Sequence, residues 1–228
     1  MKKQLFFYGL CLTIILSFSS AALTQIVERN VSVWPDNRVP PFSVVANTDD
    51  FGVIRVLNAD FDPMKKLPDI PDVLRTKAGD SPRYHLVQFN GPVAESDKAA
   101  IRRAGFEPLL YLPHFTFICR MESKNAAADA LKLPGVRWVG PFEPAYRISP
   151  SIGNTPLTNP DRLVDDHLTL IVTLFEGETL ESLKNELLGC GVEIIDTVDT
   201  PYRKSFHIRA LPEAVMTIAQ IESIYTIE

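Results

Sequence analysis

The side chains of this 228-residue chain with most latent chemistry are four histidines, three cysteines and a few acidic neighbours. Asp165-Asp166-His167 offers three acid–base or ligand groups in a row. A metal site or dyad needs further groups brought from elsewhere, and no second cluster exists to supply them, so the tripeptide reads as the solvated end of a linker. Ser205 and His207 sit two residues apart on one strand face. A nucleophile must touch its base, and this pair reads instead as solvent-facing positions of an alternating strand. His85 lies within a strand run, and His114 beside a turn. No G-x-S-x-G elbow, H-E-x-x-H pair, P-loop or C-x-x-C motif is present. Trp138 and Tyr146 can line a pocket, but packing in a core or interface accounts for them better. The expectation is a non-enzyme with no catalytic residue, cofactor or metal.

Composition narrows the class. A hydrophobic share of 46% with 22% charged residues belongs to a globular chain. A net charge of −5 gives no basic face for nucleic acid. Lys2 and Lys3, the apolar run Leu5–Phe18 and the small residues Ser20-Ala21-Ala22 together read as a cleaved export signal over 1–22. The run is short for a membrane span, so the expected product is secreted or periplasmic, with no membrane attachment after cleavage. Tyr8-Gly9-Leu10 before Cys11 makes a poor lipobox. Cys119 and Cys190 then remain, read as ordinary buried thiols, with a disulfide between them left open.

Residues 23–82 form a leader broken by Trp34-Pro35, Pro40-Pro41, Asp62-Pro63, Leu67-Pro68 and Ile70-Pro71. Val53–Leu57 has strand character but no convincing partner run nearby. Two similar units follow. In the first, over 84–146, strand Tyr84–Phe89 turns at Asn90-Gly91-Pro92 into a helix capped by Ser96 and stopped at Gly105. Phe106–Leu112 and Phe115–Met121 read as a hairpin. An alanine-rich helix capped by Ser123, with Ala127, Ala130 and Leu131 inward, then leads to strand Val136–Val139. A linker over 147–166 precedes the second unit, 168–228. Strand Leu168–Phe175, a helix capped by Thr179, the hairpin Val192–Val198 with Ser205–Ala210, a helix opened by Pro212 and strand Ser223–Ile227 repeat the order. Helix-stop glycines at 105 and 191, and last strands at 136 and 224, recur at nearly equal spacing, which supports a duplication.

The order βαββαβ predicts an α+β protein of two tandem ferredoxin-like units, each an antiparallel sheet with two helices on one face. The second unit alternates polar residues on its open face, Thr169, Thr173, Glu193, Thr197, Ser205, His207 and Arg209. In the first unit both faces are apolar, and such strands are normally covered on both sides. A domain of about 60 residues is also marginal alone. The cover can equally be an outside partner or the second unit. The residues expected to meet it are Tyr84, Leu86, Leu109, Tyr111, Phe117, Trp138, Phe142 and Tyr146.

Tyr84–Pro92, Tyr111-Leu112-Pro113, Val136–Pro141 and Pro144-Ala145-Tyr146 form a series that resembles the prodomain region of secreted bacterial subtilisin-like serine proteases. The second unit looks like another copy of that propeptide/inhibitor module. The resemblance implies a noncatalytic chaperone or inhibitor that docks its open sheet face on a protease catalytic domain, in cis or in trans. The chain stops at Glu228, where a protease domain is expected, and contains no Asp-Thr-Gly, His-Gly-Thr or Gly-Thr-Ser-Met motif. The front part of a longer serine protease fits this as well. An exported ferredoxin-like adaptor is the alternative, and a small-molecule sensor a further one that a pocket between the units would favour.

Overall fold

The computed structural model describes residues 33–34, 50–77, 79–153 and 165–228. The expected export signal, with Cys11, lies outside the described residues, as does much of the leader and linker. The described chain is mixed α/β, with antiparallel sheets and few helices.

The leader is not structureless. β1 (Ile54–Val56) and β2 (Ala59–Phe61) form a small antiparallel hairpin. Its connection is Leu57-Asn58 rather than an Asn-Gly pair, which is why the partner of β1 is not legible from turn signals. The Asn58 amide instead donates to the carbonyls of Ala145 and Ile148.

β3 (Tyr84–Phe89), β4 (Phe106–Leu112), β5 (Thr116–Met121) and β6 (Val136–Pro141) form the first sheet, in the order β4-β5-β3-β6. β7 (Leu168–Leu174), β8 (Glu193–Asp199), β9 (Lys204–Ala210) and β10 (Ile224–Ile227) form the second, in the order β10-β7-β9-β8. Numbered within each unit, both orders read fourth, first, third, second. Two sheets sharing one non-sequential order accord with the duplication inferred from spacing.

Helix α1 (Glu95–Arg103) begins one residue before Ser96, so Ser96 does not cap it. Asp97 reaches back to the Ala94 amide at 2.8 Å in the acidic half of a capping box. Gly105 ends it at φ +98°, and a Cβ there would stand 2.7 Å from that of Ser123. α2 (Ala126–Ala130) is shorter than expected. It buries Ala126 and Ala130 and leaves Leu131 exposed, because the helix ends before Leu131 can turn inward. In the second unit, α3 (Leu180–Gly189) is capped by Thr179, whose hydroxyl accepts from the Ser182 amide at 3.2 Å. α4 (Ala214–Ala219) starts two residues after Pro212 and buries Val215 and Ile218.

One core lies between the first sheet and its helices, from Val87, Phe89, Phe106, Phe117, Ile101 and Ala130. The other is larger and continuous. It joins the helix side of the second sheet to the opposite face of the first, represented by Tyr84, Leu86 and Ile118, and to the leader residues Trp34, Ile54, Phe61, Ile70 and Leu74. Every residue of β3 is buried. The two-sided apolar pattern is therefore satisfied within the chain: leader and second unit cover the free face of the first sheet.

Candidate functional sites: an occupied face, an open face and a cleft

The eight residues expected to meet a partner have distinct fates. Tyr84, Leu86, Phe142 and Tyr146 are buried in the larger core. Phe117 is buried on the helix side. Leu109 and Trp138 are half-buried against the larger core. Only Tyr111, of these eight, is exposed, its ring in a T-shaped contact with that of Phe117.

The contacts holding the cover are specific. The Tyr84 and Phe175 rings stack at 3.8 Å between centroids. The Tyr84 hydroxyl donates to Glu178, which also pairs with Arg83 at 2.8 Å. Burial, then the Glu178 carboxylate, push the Tyr84 phenol well above its ordinary range, so it remains a donor. Arg147, 3% exposed, donates to the carbonyls of Ala219 and Ile221 at 2.7 and 2.9 Å, satisfying the C-terminal end of α4. Burial lowers its pKa to about 10. Ile148 pairs in parallel with Ile227, occupying part of the β10 edge.

On the leader side, Asp62 is 2% exposed and accepts from Arg137 at 2.8 Å. Arg137 also donates to Gln88 at 2.6 Å and to the Gly52 carbonyl at 3.1 Å. Burial opposes the Asp62 charge, but Arg137 and the Met64 amide hold its pKa below the ordinary value. This polar latch was missed at sequence level because Asp62-Pro63 reads as a breaker. The 75-residue separation of Asp62 from Arg137 hides the pairing.

Asp165, Asp166 and His167 do place three ligand atoms within 4.8 Å of one another. Asp166 is exposed and its two neighbours half-buried, and Asp165 is engaged by Arg209 at 2.7 Å. That contact, followed by the His167 amide, lowers the Asp165 pKa to about 2. Ser205 is fully buried, so it does not face solvent as expected, while His207 is half-buried. Cys119 is buried and Cys190 half-buried, both as free thiols, and burial raises both pKa values. Neither is therefore poised as a thiolate.

The open face of the second sheet is exposed along its outer strand. A register irregularity between Ile194 and Asp196 sets Asp196 opposite His207 and Thr197 opposite Phe206. The extra residue turns Thr197 toward the helix side, contrary to simple alternation. This face then carries Thr169, Ile171, Thr173, Glu193, Ile195, Asp196, His207 and Arg209, with Ile195 55% exposed and Ser205 buried beside Thr173.

Between the units lies a cleft of about 460 Å³. Leu110 of β4 is the one lining residue from the first unit, and Phe175, Tyr225 and the β8–β9 turn line the rest from the second.

A family profile described as a domain of unknown function (DUF8729) matches residues 55–143, well under half of the chain. Those bounds take in the leader hairpin except Ile54, together with the first sheet. No curated protein matches, and no solved structure matches. Among the described residues, no helix is long and apolar enough to cross a membrane.

Proposed function

We propose that the chain is a noncatalytic, exported protein-binding module of two ferredoxin-like units, related to the prodomains of subtilisin-like serine proteases and acting as their folding assistant or inhibitor. The observation that carries this reading is the repeated strand order, with both helices of a unit on one face and a second sheet whose other face is exposed along β8. In the family that the sequence resembles, the open sheet face meets the catalytic domain. Here the corresponding face of the first unit is filled by leader and second unit, so Tyr84, Leu86, Phe142 and Tyr146 serve as internal packing. Docking then falls to the second sheet, where Ile171 and Ile195 interrupt a polar surface. This is the pattern of an apolar centre with a polar rim.

The test is titration of the full chain, produced so that export processing can occur, against a subtilisin. The expected result is slowed proteolysis or accelerated refolding of the denatured protease. Ile195→Asp, at an exposed position, should weaken the effect at least about tenfold, the scale of one apolar anchor. No effect on either proteolysis or refolding overturns the proposal. Peptide hydrolysis by the purified chain overturns its noncatalytic part.

A further inference from the structure

The cleft between the units has the size of a small-molecule site, about 460 Å³. Its walls are apolar or aromatic: Leu110 from the first unit, with Phe175, Tyr225 and Pro201 from the second. Its charge is uneven, with Arg203 and Lys204 against the single lining carboxylate, Glu176. The two cations are held differently, Lys204 at its head and Arg203 at its backbone. The Lys204 ammonium donates to the Glu178 carbonyl at 3.0 Å. The Arg203 backbone is held by the Thr200 hydroxyl at 3.0 Å, while its guanidinium makes no ion pair among the described residues. Of the nearby acids, Glu178 faces Arg83 and Glu122 faces Arg120, while the exposed Asp199 stands opposite Lys204 in the β8–β9 register. Two cations beside one carboxylate suit a single negative charge rather than a phosphate dianion. Thr173, Thr200, Tyr202 and Tyr225 add hydroxyl-bearing side chains to the lining.

We propose that this cleft binds a small organic monoanion with an apolar body, an aryl or branched-alkyl carboxylate. The carboxylate meets Arg203 and Lys204, and the body lies against Leu110, Phe175 and Tyr225. Because Leu110 of the first unit lines a cleft otherwise built from the second, the ligand adds a contact across their packing. The protease reading rests on a different surface and does not depend on this one.

The test is amide chemical-shift mapping of the full chain with 3-phenylpropionate, using 3-phenylpropanol as the neutral control. Saturable shifts are expected at Gly177, Tyr202, Arg203 and Tyr225, with a Kd on the order of 1 mM or tighter. Arg203→Ala, at an exposed position, should weaken binding about tenfold. Leu110→Trp should abolish it by filling the cleft. Absence of saturation, equal binding of the alcohol, or unchanged affinity in Arg203→Ala each overturns the proposal, whether or not Leu110→Trp folds.

Discussion

At the scale of single residues, the informative groups are polar side chains that the fold buries. His85 is 7% exposed, its Nδ1 has no hydrogen-bond partner, and its ring lies 5.3 Å from that of Phe106. Burial lowers its pKa to about 4 from an ordinary 6.5. Below pH 6.5 the unfolded chain therefore takes up a proton that the folded chain refuses. Stability is full above pH 6.5, falls as pH drops toward 4, and levels off once the folded state also protonates. The shift corresponds to about 3 kcal/mol. Urea titrations at pH 7 and pH 5 should show the loss, and His85→Leu should remove most of it. An unchanged difference in the variant would place the pH dependence elsewhere. Arg147 presents the converse case, a buried charge satisfied by carbonyls. Arg147→Met keeps much of the volume but strands the Ala219 and Ile221 carbonyls. It should cost about 3 kcal/mol by urea denaturation. Neither residue was legible as buried: strand alternation marks which side a residue takes, but not what arrives to cover that side.

At the scale of elements, legibility followed the range of the interactions. The strands β3, β4 and β7 end within a residue of where hydrophobic alternation and turn residues put them, since those signals are local. Gly105 and Gly191 both adopt positive φ, as stops for helices should. Two departures had local causes: the capping carboxylate of Asp97 superseded Ser96, and the irregularity in β8 moved Thr197 to the other face. The leader hairpin escaped notice because its stability is nonlocal. Three-residue strands cannot stand alone, and β1–β2 is held by burial of Ile54 and Phe61 and by the Asp62–Arg137 latch. Asp62→Asn should therefore act mainly on this element. The expected cost is about 2 kcal/mol, discounted because Arg137 keeps partial access to water. Hydrogen exchange should accelerate across Ile54–Phe61 while β7 and β9 keep their protection. Uniform loss of protection would mean that the hairpin is not a separable layer.

At the scale of the whole molecule, the first unit is incomplete without its neighbours. Excised as Tyr84–Phe142, it would keep its helix-side core but expose Tyr84, Leu86 and Ile118, now all within 1% of full burial. Each such side chain is worth about 1.5–3 kcal/mol, while a domain of that size holds only about 3–5 kcal/mol in total. The excised unit should therefore show no cooperative thermal transition by circular dichroism. The chain from Asp50 to Glu228 gives up Val33 and Trp34 but retains the leader hairpin, the Tyr84–Phe175 stack and the Arg147 contacts to α4, so the rest of the larger core stays joined. It should unfold in one transition, reported alike by Trp138 fluorescence in the first unit and by far-ultraviolet ellipticity. Two resolved transitions, or a folded excised unit, would mean that the units are independent and that the free face of the first sheet can open. Tyr84 and Leu86 would then again be accessible to a partner. A single transition instead confines the proposed docking to surfaces exposed in the packed molecule, the outer strand of the second sheet foremost among them.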